Sequence, residues 1–383
     1  MAQRKKKTAT QKAVQELSKT KSGRILLIVV ALILIAGAIF GYWYYKRKTQ
    51  EAEVMVFPDV SEQDISVHFL ELGNKYAGDC VYIKTAESDI LIDCGSRPAS
   101  VQTIKTYLEH YVTDGTIEYT IVTHAHQDHY ACFAGDSKNK SIFEYFDFEV
   151  VIDFAGTEND KTEQRMYQNY QAALASEVEN GATHYTALQC VNESGGANDE
   201  YSIGSGYTMK ILNSYYYANP DLSNENNNSV CCLISNGTKN YLFTGDLEAE
   251  GEEKLLTLNT LPEVDLFKAG HHGSKTSSSS TLLSVIKPKT IVVCCCAGSP
   301  EYAKNNPTPN NVFPTQIFIN NVAPYTDEVY VTSLYIEKSK SFTHFNGNVV
   351  YMAKGTTYVV ACSHSSVKLK NSEWFKKNRT WPA

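Results

Sequence analysis

The chain has no Cys-x-x-Cys pair, no internal repeat and no long low-complexity run. The first absence argues against a cysteine-based zinc knuckle or a thioredoxin-like centre. The second excludes a solenoid. The third, with 43% hydrophobic and 20% charged residues in 383, excludes wholesale disorder. Positive charge is scarce over most of the length. Residues 1–45 hold eight Lys/Arg and one Glu, whereas the remainder holds 27 Lys/Arg against 41 Asp/Glu, a net of −14. An acidic body does not steer polyanions, so a general nucleic-acid binder is not expected.

What is present begins with a single uncharged run. Ile25 to Tyr45 is 21 residues without charge, about 30 Å as a helix at roughly 1.5 Å per residue, the thickness of one hydrocarbon core. Tyr42, Trp43, Tyr44 and Tyr45 close it and Lys46, Arg47 and Lys48 follow, an interfacial pattern. The basic segment before it is long for a signal peptide, and no small-x-small site follows the apolar stretch, which favours a retained anchor over a cleaved leader. No other window approaches this length without charge. Eight cations before the span against three after it place the N-terminus in the cytoplasm and the body outside the cell membrane. The ten cysteines, all after residue 45, pull the other way, because free thiols oxidise outside most cells. Cys231–Cys232 and Cys294–Cys296 lie inside apolar runs and read as small buried hydrophobes in strands.

The expected organisation is a basic cytoplasmic segment (1–24), a transmembrane helix (25–45), a polar linker (46–64), a folded domain (65–365) and a basic tail (366–383). Within the domain, Val67–Leu72, Cys80–Thr85, Asp89–Asp93, Tyr119–Thr123 and Val150–Phe154 read as strands. So do Gly204–Asn213, Ser229–Ser235, Tyr241–Thr244, Ile291–Cys296, Val329–Tyr335, Asn348–Met352 and Thr357–Cys362. Helical spacing marks Val101–Tyr111, Lys161–Glu179 (Met166, Tyr170, Leu174 and Val178 on one face) and Ser278–Ile286, which stops before Pro288. Strands in groups with helices between them predict an α/β fold.

The most informative segment is Thr123-His124-Ala125-His126-Gln127-Asp128-His129. Imidazole and carboxylate suit zinc and similar divalent ions. Where a strand runs into a loop, residues i and i+2 point the same way, so His124 and His126 can share one ion while Asp128 and His129 hold a second. A solvated polar loop is the plain alternative, and four ligand-type residues directly after an apolar strand argue against it.

His124-x-His126-x-Asp128-His129 resembles the metallo-β-lactamase fold. Gly78-Asp79-Cys80, Leu91-Ile92-Asp93-Cys94-Gly95, Asn226-Asn227-Asn228-Ser229-Val230, Leu242-Phe243-Thr244-Gly245-Asp246 and Lys268-Ala269-Gly270-His271-His272-Gly273-Ser274-Lys275-Thr276 follow in the order of its ComEC-type competence-protein branch. The resemblance covers roughly residues 65–312 and implies an αββα sandwich with two divalent metal ions, zinc first and manganese as the alternative. His124 and His126 would hold one metal and Asp128 and His129 the other, with Asp246 bridging and His271 as the downstream ligand, ahead of His272. A carboxylate can span ions about 3.5–4 Å apart, which suits Asp246.

This chain departs from that pattern twice. No histidine stands in Asn224–Ser229; His184 or the carbonyl of Asn228 is a possible replacement. Asn306, in Asn305-Asn306-Pro307, stands where the branch often carries a histidine, so a proton donor is missing or comes from elsewhere. The implied chemistry is attack by a metal-activated water oriented by Asp128, with Ser274, Lys275, Asn228, His272 and Asn306 as candidate substrate contacts. The expected protein is thus a membrane-anchored metal-dependent hydrolase of a phosphodiester, either a cell-envelope phosphoester or, against the acidic body, nucleic acid. Its expected partners are membrane lipid around 25–45 and the phosphoester itself. A non-catalytic binding module with a degenerate second metal site is the alternative. Residues 313–383 carry strand signals and no readable motif.

Overall fold

A computed structural model describes residues 17–30, 33, 36, 37 and 60–382. The chain divides into two units, Met1–Met55 and Val56–Ala383. In the first, residues 21–30, 33, 36 and 37 are helical. The rest of the expected span at 25–45, and most of the 1–24 and 46–64 segments, lie outside the described residues. Among the described residues no helix is long and apolar enough to cross a membrane.

The second unit holds two eight-stranded sheets. The strands are β1 (Ile65–Phe69), β2 (Val81–Lys84), β3 (Asp89–Ile92), β4 (Thr116–Val122), β5 (Asp147–Asp153), β6 (Thr183–Thr186), β7 (Glu200–Gly204), β8 (Tyr207–Ile211), β9 (Cys232–Ser235), β10 (Asn240–Phe243), β11 (Leu266–Lys268), β12 (Thr290–Ala297), β13 (Val329–Ile336), β14 (Ser341–His344), β15 (Val349–Lys354) and β16 (Thr357–Cys362). The first sheet runs β16-β15-β1-β2-β3-β4-β5-β6 and the second β14-β13-β12-β11-β10-β9-β8-β7. Each mixes the two pairings. β3-β4-β5-β6 and β10-β11-β12-β13 are parallel, and the flanking strands are antiparallel.

The sheets face one another across an aromatic core, Phe69 against Phe243 (6.5 Å between ring centres) and Tyr241 against Tyr351 (5.4 Å). β3 and β12 are buried along their whole length, as strands covered on both faces must be. Helices supply the second cover. Leu255, Leu282, Leu283, Ile286, Phe318, Ile319 and Val322, from three helices, share one core with Phe267, Ile291, Val293, Val329 and Val331 of the second sheet. All ten cysteines are free thiols; nine are buried and Cys362 is half-buried.

Several elements differ from the sequence expectation. The helix expected at Lys161–Glu179 begins at Arg165, after a short 3-10 turn at Lys161–Glu163. Its buried face is Tyr170, Leu174 and Glu177, while Val178 is exposed, because the Glu177 carboxylate turns inward to accept the Phe148 N–H at 3.1 Å. Gly204–Asn213 is the second half of a hairpin, β7–β8, rather than one strand. Residues 313–383 complete both sheets. β13 and β14 close the second, and β15 enters the first beside β1. The segment read as a basic tail packs on the body: Leu369 and Phe375 join the second sheet's core, and Arg379 donates to the carbonyls of Val312 and Pro314.

Candidate metal centre

The centre forms where strand ends of the two sheets meet. β4 stops at Val122, and the chain bends at Ala125 before His126, whose extended backbone precedes the helix Gln127–Ala134. This brings His124 and His126 together, His124 Nε2 lying 3.1 Å from His126 Nδ1. The helix's first turn then carries Asp128 and His129 inward. This turn packs so closely on the end of β3 that a Cβ at Gly95 would fall 1.7 Å from the Asp128 carbonyl oxygen, which restricts the position to glycine. From the second sheet, β10 ends in Thr244-Gly245-Asp246, and β11 leads into the Gly270–Gly273 turn bearing His271 and His272. Both histidines take left-handed backbone (φ 46° and 52°), a costly conformation for non-glycine residues that the surrounding packing enforces.

Asp246 is the hub. Its Oδ2 lies 3.1 Å from His129 Nε2, 3.4 Å from His272 Nε2 and 3.8 Å from His271 Nε2. His272 Nε2 also lies 3.3 Å from Asp128 Oδ2. Among the described residues four buried triads converge on ligand distance: His124–His129–Asp246, Asp128–His129–His272, Asp79–Asp93–His129 and Asp79–Asp246–His272. His272 thus enters these candidate groups, whereas His126 and His271 stand at their edge, His271 with its Nε2 3.8 Å from Asp246 Oδ2 and its Nδ1 3.0 Å from Thr276 Oγ1. Two adjacent histidines give sequence spacing nothing to choose by.

Around this set are residues absent from the expected site. Asp93, at the end of β3, sits 2.7 Å from His129 Nδ1 and accepts from the Thr123 N–H and hydroxyl, both at 2.8 Å. It fixes which His129 nitrogen faces Asp246, the usual service of a carboxylate behind a metal-ligating imidazole. Asp79 pairs with Lys268 and lies 3.2 Å from His272 Nδ1. Lys268 also reaches Asp246 Oδ1 at 3.5 Å. Tyr302 donates its hydroxyl to Asp128 Oδ2 at 2.6 Å. Glu225, fully buried, accepts the Ala125 N–H between His124 and His126 at 2.7 Å, and also Thr157 Oγ1 and the Glu158 N–H at 2.7 Å each. Asp79, Asp93 and Lys268 lie within the quoted motifs. Glu225 and Tyr302 left no signal beyond neighbouring them.

The charges are held apart strongly. Burial disfavours charge on Asp246, but the imidazoles of His129 and His272 outweigh it and hold its carboxyl well below the usual range. Burial likewise opposes charge on His272, yet Asp246 and Asp79 raise it to about 10. Burial, with His129 beside it, pushes His124 well down, leaving a neutral imidazole with a free lone pair. His129 Nε2 and His272 Nε2, fully buried, make no hydrogen bond although both face Asp246 Oδ2. Buried polar atoms seldom remain unpaired. Imidazole nitrogens and a carboxylate converging without hydrogen-bond partners are the donor set of a zinc-like ion, so these residues fit divalent metal.

The other expected residues lie elsewhere. The Asn228 amide is used within its own loop, accepting from the Asp221 N–H (2.8 Å) and donating to the Asp221 carbonyl (3.1 Å). His184 pairs with Asp153 at 2.8 Å. Ser274 bonds to Thr276, Lys275 is exposed, and Asn306 is exposed on the loop beyond Tyr302. The hydroxyl-rich run after His271, one candidate for holding phosphate, has its backbone N–H groups at Ser278 and Ser279 taken by Glu252, at 2.6 and 2.8 Å. A cavity of about 510 Å³ opens over the cluster, with His126, Asp128, Asp246 and His271 among its walls.

Two facing mixed sheets with a His/Asp cluster at their strand ends define a metallo-β-lactamase-type chain, and the family model described as the metallo-beta-lactamase superfamily matches residues 73–135 and 224–297. The chain carries the metallo-β-lactamase fold, and short stretches of its sequence are similar to competence proteins. It is 35% identical over 92 residues to ComE operon protein 3 of Bacillus subtilis strain 168, and 42% identical over 53 residues to Recombination protein 2 of Haemophilus influenzae. Those stretches are 24% and 14% of this chain, but only 12% and 6% of the relatives' own lengths. Among solved structures, the metallo-beta-lactamase fold protein YhfI from Bacillus subtilis matches with a TM-score of 0.37 at 13% identity, over 70% of this chain and 95% of that one.

Proposed function

We propose that the chain is a metal-dependent hydrolase of phosphodiesters, anchored by residues 25–45 with its body outside the cytoplasmic membrane. The observation that carries the hydrolase reading is Asp246 Oδ2 set among the unpaired, buried Nε2 atoms of His129 and His272. His124, His126, Asp128, His129, Asp246 and His272 would hold two divalent ions, zinc first and manganese second. Such ions supply an activated water and offset the negative charge that develops at the attacked centre. Asp128 is placed to orient that water. Its Oδ2 is fixed between His272 Nε2 and the Tyr302 hydroxyl. Burial and the neighbouring Asp128 and Glu301 push the Tyr302 phenol up, so it stays protonated and remains a donor at the cavity mouth. Asp93 orients His129 from behind, and the Cys294 carbonyl, 3.0 Å from His272 Nδ1, orients His272.

The acidic body favours a cell-envelope phosphoester over nucleic acid. Ile25, Leu26, Ile28 and Ile33 expose between 50% and 64% of their surface, a pattern suited to lipid. The test is metal content of the purified full chain in detergent, with bis-p-nitrophenyl phosphate turnover under zinc and under manganese. Bound metal with turnover that is lost in His124→Ala supports the reading. No metal and no turnover, with His124→Ala equal to the parent, overturns it. Comparing a choline-phosphate ester with a single-stranded oligonucleotide separates the substrates, and protease accessibility on intact cells tests the side of the membrane.

A further inference from the structure

The wall of the cavity carries two cations that the metal cluster does not use. Lys161, only 7% exposed, lines it from the 3-10 turn ahead of the helix Arg165–Glu179. Its Nζ pairs with Glu158 at 3.3 Å on one side and feels the buried Glu225 carboxylate, leaving the rest of the ammonium toward the cavity. Arg97 lines the same cavity and is held rigidly. Its Nη2 bonds Glu301 at 2.6 Å, its Nη1 donates to the Ser96 carbonyl at 2.7 Å, and its guanidinium lies 4.1 Å over the Tyr76 ring.

The Lys161 turn is not a loose rim. Glu225 ties Thr157 and Glu158, just before it, to Ala125 in the ligand turn through three 2.7 Å hydrogen bonds. One buried carboxylate therefore sets Lys161 at a fixed place relative to His124 and His126. Desolvating an ammonium group costs several kcal/mol unless a partner compensates. The fold builds a strut that keeps this charge facing an open cavity next to His126.

We propose that Lys161, with Arg97, forms an anion seat that binds the phosphoryl oxygens of the substrate beside the scissile centre, so that the site selects an anionic phosphodiester over a neutral ester. This rests on the hydrolase reading above for its consequence in turnover, but not for binding itself. A lysine suits the role as a compact charge and an arginine as a planar fork on two oxygens.

The test uses the full chain in detergent, loaded with metal, as parent, Lys161→Met, Lys161→Arg and Arg97→Met. Inorganic phosphate binding is followed by calorimetry, and kcat/KM is compared for bis-p-nitrophenyl phosphate and for the neutral p-nitrophenyl acetate. In Lys161→Met, with parental metal content, phosphate affinity should fall about tenfold. The loss on the diester should exceed the loss on the neutral ester by at least tenfold, and Lys161→Arg should restore most of both. If the parent hydrolyses neither ester yet binds phosphate in a Lys161-dependent way, the hydrolase reading fails and the seat stands. Phosphate affinity and diester preference equal to the parent in Lys161→Met overturn the seat. So does a lowered metal content in Lys161→Met, which would make Lys161 a support of the ligand turn instead.

Discussion

At the scale of single residues, the structure separates ligands from their neighbours in ways that spacing does not. His272→Ala should remove at least one equivalent of metal and at least 100-fold of diester turnover, whereas His271→Ala should retain its metal; elemental analysis of the two variants decides. Asp93→Ala should weaken metal binding about 10–100-fold, the usual penalty for removing a carboxylate behind a ligating imidazole, as read by competition with a chelating dye. Glu252 gives a pH signature. Burial raises its carboxyl from 4.5 to about 7. A raised acid stabilises the fold fully below pH 4.5, and that stability is lost as pH climbs through about 7. The loss is about 3 kcal/mol on this shift. Denaturant unfolding of the parent against Glu252→Gln, between pH 4.5 and 8, should show a parent-minus-variant difference that shrinks across that window. A constant difference would contradict it.

At the scale of elements, the site is a convergence of strand ends, and this decides what sequence reading reaches. His124, His126, Asp128 and His129 were legible because one strand and one helical turn hold them all. Asp246 and the His271–His272 pair were legible as short motifs at strand ends. Spacing does not choose between those two histidines, because they are adjacent and share one turn. Asp93 and Asp79 become neighbours of the cluster only when β3 and β11 are brought together, and Glu225 only when its loop folds back on Ala125. β6 and β14 escaped detection because both are short and only part-buried, so neither alternates cleanly. Glu225 also makes a prediction at this scale. Its removal in Glu225→Ala leaves a buried N–H, a half-buried N–H and a half-buried hydroxyl without their acceptor, a loss of about 3 kcal/mol. Thermal unfolding should show it, and metal affinity should fall with it because the ligand turn loses its strut.

At the scale of the molecule, the roughly 250 residues that carry family motifs do not make a complete body. β1 lies between β2 and β15, five residues of one paired along five of the other, so the first sheet depends on chain that the motifs never mention. Truncation after residue 345 should strip β1 of its partner and expose a buried apolar edge. The product should be recovered as aggregate, and a soluble, cooperatively unfolding fragment would refute this. The charge split, by contrast, was legible at once, because it needs only counting.

The seating of β15 beside β1 also sets an order of events during synthesis. The first strand of the body leaves the ribosome nearly three hundred residues before the strand it must pair with. Until then the earlier strands of that sheet wait with one side open, and loop closure over such a distance is slow. The half-finished sheet therefore stays incomplete through most of the synthesis of the body. The histidine cluster, set where strand ends of both sheets meet, would take its final shape only once that last pairing is made.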